Sequence, residues 1–299
     1  MKCIISGGSG FIGRGVVERL LRDHHYVAVW SRKPGLERRN GVAAFSWDPL
    51  AGEPPIESVN TMDTVIHLAG EPVAQRWNAQ VKARIRDSRV LGTRRLVDVI
   101  SRAKHKPTTL VCASAIGIYG NRGDEILTET SSPGTGFLVD VCKEWEAEAD
   151  RAAEFGLRVV KLRIGFVLGK GGGALATILP AFQFFAGGRL GSGKQWMPWI
   201  HSADVCEMMV RAAEDESIRG VWNATAPNPV TNNEFTRELA SAVHRPALFP
   251  VPSFALKAAF GEFAQHMLDS ARVIPEAAVG AGYRFRYPDL KPALLDLVS

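Results

Sequence analysis

Lys2-Cys3-Ile4-Ile5-Ser6-Gly7-Gly8-Ser9-Gly10-Phe11-Ile12-Gly13 is the stretch on which the fold turns. Its first five residues are mainly apolar and suited to a buried strand. Beyond the glycines, Ile12, Val16, Val17, Leu20 and Leu21 fall on one side of a helix, with Arg14, Glu18, Arg19 and Arg22 elsewhere. A glycine turn between a buried strand and an amphipathic helix aims free backbone N–H groups and the positive end of a helix dipole at one point, a geometry suited to a pyrophosphate. Gly7 permits the tight turn, Gly10 lets phosphates approach the backbone, and Gly13 lets helix and strand pack closely. An ordinary tight turn would share the glycines. The strand before, the helix after and a second apolar run over 26–30, at βαβ spacing, are what the dinucleotide reading requires.

The end of that second strand bears on which dinucleotide. NAD sites usually place Asp or Glu there, on the ribose 2′-hydroxyl. This chain has Ser31-Arg32-Lys33, with no carboxylate to repel a 2′-phosphate and two cations to meet it. NADP(H) is the expected cofactor, with Arg32 its main discriminator; a solvated basic loop is the alternative reading of the same residues.

With 299 residues, 46% hydrophobic and 22% charged, the chain has room for a large core in one or two domains. The net charge of +5 is not concentrated in a dense basic run, so an anionic cofactor or small-molecule substrate is expected rather than nucleic acid. Cys3, Cys112, Cys142 and Cys206 are far apart and follow neither a metal-binding nor a disulfide spacing, so reduced, buried thiols and a cytoplasmic setting are expected, with no metal. The first strand begins at Lys2, which leaves no room for a signal peptide, and no apolar run approaches the length of a membrane span; no membrane partner is expected.

Further strands are predicted over 43–47, 64–68, 109–113, 157–163 and 221–224, and helices over 77–103, 137–155, 175–185, 203–213, 232–243, 253–267 and 290–297. Alternation through the first half predicts an α/β fold: a doubly wound parallel Rossmann sheet with a smaller, mainly helical C-terminal substrate lobe. The NADP-binding domain is expected over 1–165 with a return segment at about 204–226. The substrate lobe takes 166–203 and 227–299, the last part from about 250 forming a module of its own.

Gly7-to-Gly13, Ser114-to-Tyr119-Gly120, Lys143 and Trp199-Ile200-His201-Ser202-Ala203-Asp204 resemble an extended-type short-chain dehydrogenase/reductase. More closely, the chain resembles the atypical sugar-nucleotide epimerase-like, SDR39U-type, subgroup. The matching signatures are His67-Leu68-Ala69-Gly70-Glu71, Trp77, Ser88-Arg89, Lys143-Glu144-Trp145-Glu146, the glycine run 168–174, Gly191-Ser192-Gly193, Val273-Ile274-Pro275 and Gly282-Tyr283. The resemblance implies an NADP(H)-dependent oxidoreductase or epimerase-like enzyme acting on a small molecule. It implies cofactor contacts at Gly7, Ser9, Gly10, Phe11, Ile12, Gly13, Ser31, Arg32, Lys33, Asp48, Leu68, Ala69, Gly70, Glu71, Lys143 and Arg163. By analogy, the helices from Trp77 and Phe137 would form a homodimer interface.

Active relatives place a hydroxyl residue, a Tyr and a Lys around the nicotinamide, the Tyr acting as acid or base and the Lys holding the ribose. The Tyr should lie four residues before the Lys, where this chain has Val139. The remaining candidates for catalysis are Ser114, Tyr119 and Lys143, each with a structural alternative. Ser114 is either a substrate contact or a strand-end hydroxyl. Tyr119 either lines the cleft or packs, and Lys143 either meets the ribose or pairs with Glu146. Glu71 is either a carboxylate near the nicotinamide or a loop cap, Asp48 an adenine neighbour or a turn cap, and Ser88-Arg89 a structural or a phosphate-facing pair. A protein lacking the Tyr is also open to a second reading, as a non-catalytic NADPH sensor or interaction module.

Overall fold

A computed structural model describes residues 1–32, 41–247 and 249–299. The glycine stretch folds as read: β1 (Lys2–Ser6) leads through the turn into α1 (Phe11–Arg22) and back to β2 (Tyr26–Ser31). Then come β3 (Ala43–Ser46), β4 (Thr64–His67), the long helix α2 (Ala79–Arg102) and β5 (Thr109–Ala115). After the short β6 (Ile126–Leu127), α3 (Phe137–Asp150) precedes β7 (Arg158–Ile164). Asn78 caps α2, its side chain accepting from the Val81 N–H at 2.8 Å, so the helix starts two residues after the expected Trp77.

The sheet has seven strands in the order β11-β7-β5-β4-β1-β2-β3, where β11 is Gly220–Ala224, and every pairing is parallel. The chain winds outward from β1 to β3, then crosses back to β4 and winds the other way. The switch therefore falls between β1 and β4, whose C-terminal ends open the crevice that binds ligands in such sheets. One core unites strands and helices, with Ile4, Ile5, Val65, Ile66, Leu110 and Val111 fully buried.

The second half supplies β8 (Phe166–Gly169), α4 (Gly173–Gln183), β9 (Trp196–Met197), β10 (Trp199–His201) and α5 (Ser202–Glu214) before β11. Then follow β12 (Val230–Thr231), α6 (Asn232–Ala242), α7 (Ser253–Phe260), α8 (Phe263–Leu268), β13 (Arg272–Val273), α9 (Glu276–Gly280) and α10 (Leu290–Val298). The single helix expected over 253–267 is two, because Gly261 takes φ +61° and breaks the α7 line. The lobe has its own core, in which Trp199, Phe235, Leu239 and Leu294 meet. The C-terminal segment also reaches back, since Ala278 and Tyr283 belong to the sheet's core. Among the described residues no helix is long and apolar enough to cross a membrane. All four cysteines are buried and free.

Candidate nucleotide site

A groove of about 220 Å³ lies in the β1/β4 crevice, lined by Ser9, Gly10, Ser31, Arg32, Asp48, Leu68, Ala69, Gly70 and Glu71 among others. Its floor is the glycine turn. Gly7 has φ +70°, and a Cβ there would stand 3.0 Å from the Ala69 nitrogen. A Cβ on Gly13 would overlap the Gly7 carbonyl oxygen, so the α1 first turn can sit on the loop only with glycine there. At the mouth of α1, Gly10 has no side chain to cap the helix, whereas α2 is capped by Asn78, α5 by His201 and α6 by Thr231. The first-turn N–H groups of Phe11, Ile12 and Gly13 are left for an acceptor from outside the chain, at the positive end of the dipole. The ring of Phe11 turns away into the Gly169–Gly173 loop, where a Cβ on Gly172 would overlap it. Phe11 thus serves the groove through its N–H alone.

The far end of the groove holds Ser31 and an exposed Arg32, with Trp30 and Trp47 as its aromatic wall, 5.3 Å apart edge-on. Lys33 lies outside the described residues. Asp48 lines the groove and caps its turn, Oδ1 accepting from the Leu50 N–H at 3.0 Å.

A buried hydrogen-bond chain under the crevice escaped the sequence reading. Ser6 Oγ accepts the N–H groups of Leu68 and Ala69 at 3.0 and 3.1 Å. Both its lone pairs are then used, so its proton is directed to His67 Nδ1, 2.6 Å away. That makes Nδ1 the acceptor and Nε2–H the donor to Thr93 Oγ1 at 3.1 Å. The ring stacks on Trp47 at 5.8 Å. Burial, with the positive charge of Arg89 behind it, pushes the His67 pKa down to about 4. The signal in the sequence was two polar residues, Ser6 and His67, ending otherwise apolar strands at paired positions of β1 and β4.

The strand-end loop after β4 is clamped from α2. Ser88 Oγ accepts from the Glu71 N–H at 2.9 Å, while Arg89 donates to the Glu71 and Ile85 carbonyls and lies over the Trp145 ring. These contacts give Ser88 and Arg89 a structural role in holding the strand-end loop, and Ser88 also lines the groove. The Glu71 carboxylate is held by Arg84 and Gln75 at 3.2 and 3.3 Å.

The three catalytic candidates are not gathered at the groove. Tyr119, read as either lining the cleft or packing, is fully buried. The short turn Ile116–Tyr119 rotates it inward, where its hydroxyl donates to Asn223 Oδ1 at 2.7 Å and accepts from Arg163 Nη1 at 3.0 Å. Burial raises this phenol's pKa further from neutrality. Arg163, expected at the cofactor, is likewise buried, its guanidinium held by both oxygens of Glu146 at 2.8 and 2.9 Å. Ser114 donates to Glu146 Oε1 at 2.6 Å. Burial is the largest influence on the Glu146 carboxyl and would raise it, but the hydrogen bonds from Arg163 and Ser114 together with the charges of Arg163 and Lys161 hold it below the ordinary range. Ser114, Tyr119, Glu146 and Arg163 form one inward-facing network. Lys143 is exposed on α3 and makes no pair with Glu146. Val139, at the place of the usual Tyr, is buried.

Residues 3–224 match the profile of the NAD dependent epimerase/dehydratase family. The chain belongs to that family. A second profile, a domain of unknown function (DUF1731), matches residues 251–297, where the C-terminal module was expected. This family member is 42% identical over 298 residues to the chloroplastic epimerase family protein SDR39U1 homolog of Arabidopsis thaliana, covering 98% of this chain and 86% of that protein. It is 36% identical to epimerase family protein YfhF of Bacillus subtilis, covering 100% of this chain and 98% of the relative. The crystal structure of human epimerase family protein SDR39U1 (isoform 2) with NADPH superposes with a TM-score of 0.89 at 32% identity, covering 100% of this chain and 99% of that one. The SDR39U-type resemblance of the sequence motifs thus extends to the full length and to the fold.

Proposed function

We propose that this epimerase-family protein binds NADP(H) in the β1/β4 groove and uses it in hydride exchange with a small anionic molecule. The observation that carries the reading is the uncapped N-terminus of α1 at one end of the groove and Arg32, unopposed by a carboxylate at the end of β2, at the other. When bound, the nicotinamide supplies or takes up the hydride. The chain's residues bind and orient: the Phe11, Ile12 and Gly13 N–H groups hold the pyrophosphate, Arg32 holds the 2′-phosphate, and Lys143 holds the nicotinamide ribose. The human relative's crystallisation with NADPH supports the cofactor choice. A homodimer through the outer faces of α2 and α3 belongs to the same proposal.

The test is calorimetry of NADPH and NADH with wild type and Arg32→Ala. A charge-assisted hydrogen bond contributes about 1.5–3 kcal/mol, so the variant is expected to lose roughly ten- to a hundredfold in NADPH affinity while NADH binding stays unchanged. An unchanged NADPH-to-NADH ratio would refute the assignment. Oxidation of NADPH across a panel of sugar nucleotides and carbonyl compounds then reads turnover.

Val139 at the Tyr place and the inward-facing Tyr119 favour a second reading, a non-catalytic NADPH sensor. A sensor binds NADPH and NADP⁺ with different affinities and turns over no member of the panel; an enzyme oxidises NADPH with at least one.

A further inference from the structure

Four phenylalanines of the C-terminal lobe are largely exposed: Phe184 is 80% exposed, Phe185 58%, Phe249 74% and Phe254 74%. They belong to one region. The chain after α4 runs alongside the segment before α7, Arg189 O accepting from the Val251 N–H and Leu190 bridging Val251. Gly188 sits tight against the Phe249 carbonyl, and the Arg245 guanidinium lies 5.2 Å above the Phe185 ring. Four exposed phenylalanines carried on two adjoining stretches of chain exceed what an isolated surface residue needs explained.

The charge around them is one-sided. No Asp or Glu occurs between Glu154 and Asp204, or between Glu238 and Glu262, the two runs that frame the patch. Their cations at the patch are Arg189, Arg245 and Lys257, all exposed. On the same stretch of chain a cavity of about 330 Å³ presents Arg189, Arg237, Asn233 and Thr236, all able to donate to an anion, and Arg237 also pairs with Glu238.

Hydrophobic fingers ringed by cations, with carboxylates excluded from both framing segments, complement one kind of surface. A soluble polyanion would meet the arginines and leave the rings in water. An apolar protein partner would cover the rings and would not call for the loss of every acid. An anionic bilayer meets both, taking aromatic side chains into the headgroup–acyl boundary while its phosphates meet the cations. We propose that this face docks the protein on an anionic phospholipid surface, with the 330 Å³ cavity receiving a headgroup phosphate. The expectation of no membrane partner rested on the lack of a spanning helix, and a surface dock needs none.

The experiment is vesicle flotation of the full chain, with sedimentation equilibrium in parallel. Wild type is expected to float with vesicles of equal parts phosphatidylcholine and phosphatidylglycerol at low salt, to stay down with phosphatidylcholine alone, and to be released by salt. The triple change Phe184→Ser, Phe249→Ser and Phe254→Ser should lower partitioning at least tenfold. Arg189→Ala and Arg245→Ala should each lower it about fivefold, the worth of one cation near an anionic surface. All variants should keep wild-type NADPH affinity, which shows that they fold. The proposal is overturned if wild type does not float with the anionic vesicles, or if the triple variant floats as well as wild type. A concentration-dependent dimer abolished by the triple change would also overturn it, by giving the patch to a second copy of the chain.

Discussion

His67 gives the sharpest test of how the groove is built. Its ring is neutral in the folded chain, with a pKa of about 4 set first by burial and then by the charge of Arg89, against about 6.5 in the unfolded chain. The sign follows from proton counting. Between these values the unfolded state binds a proton that the folded state refuses, so stability is fully present above about pH 6.5 and declines as pH falls toward about 4. The whole effect is about 3 kcal/mol, and the part lost between about pH 7 and about pH 5 is about 2 kcal/mol. The geometry explains the refusal. A proton on Nδ1 would face Ser6 Oγ, whose two lone pairs already serve Leu68 and Ala69. The loop that forms the β4 side of the groove would lose one of its anchors.

The assay is urea unfolding at several pH values, for wild type and His67→Asn. Asparagine keeps an acceptor facing Ser6 but does not titrate, so the other titrating groups cancel in the comparison. The variant is expected to be less stable at pH 7, because a stacked ring is lost from between Trp47 and Thr93, yet to show a slope shallower by about 2 kcal/mol over the same pH window. The histidine NMR signal of wild type should not titrate across that window. Parallel slopes for the two proteins, or a ring that titrates near its ordinary value, would refute the reasoning.

Glu146→Gln should destabilise the chain by about 3–5 kcal/mol in urea unfolding, because it strands the Arg163 charge where both side chains are only 9% exposed; a loss below about 1 kcal/mol would contradict the network. Since the Glu146 carboxyl is held below its ordinary range, wild-type stability from this pair is present above that range and lost as pH falls beneath it, and the variant should lack that acid-side loss. Gly13→Ala should cost about 1–3 kcal/mol through overlap with the Gly7 carbonyl and abolish measurable NADPH binding in calorimetry, and retained binding would mean the loop is not the pyrophosphate seat.

The sequence carried the sheet well because its strands are short apolar runs closed by Gly or Ser and its helices begin at recognisable breaks. The β1–turn–α1 unit was legible residue by residue. What escaped has physical reasons. His67 ends an apolar strand, and nothing local says that its partner is Ser6, which lies across the sheet in register. Tyr119 follows β5 at a spacing that points to the cleft, but Gly120, at φ +63°, and the tight approach of Gly134 to the Tyr119 carbonyl turn the segment inward. Arg163 ends a strand facing α3 rather than the crevice, and only the fold puts Glu146 opposite it. Phe184, Phe185 and Phe254 fall in stretches expected to be helical, and nothing local marks them as exposed.

These misses share a cause that bears on chemistry. The Ser114 proton goes to Glu146, the Tyr119 hydroxyl faces Asn223 and the Thr128 carbonyl, and Val139 fills the place of the usual acid. Ser114 and Tyr119 thus stabilise the joint between β5, α3 and β7. The Arg163–Glu146 pair needs both, since it would otherwise sit buried with fewer hydrogen bonds than its charges demand. A relay that must also carry structure cannot change protonation without loosening the fold. The hydride exchange proposed above would therefore draw its proton from outside the network, through water or a group on the substrate. Tyr119→Phe separates the two roles: it should lower stability while leaving any turnover rate within about twofold, and a loss of turnover of a hundredfold or more, the scale of a removed general acid, would return the phenol to catalysis.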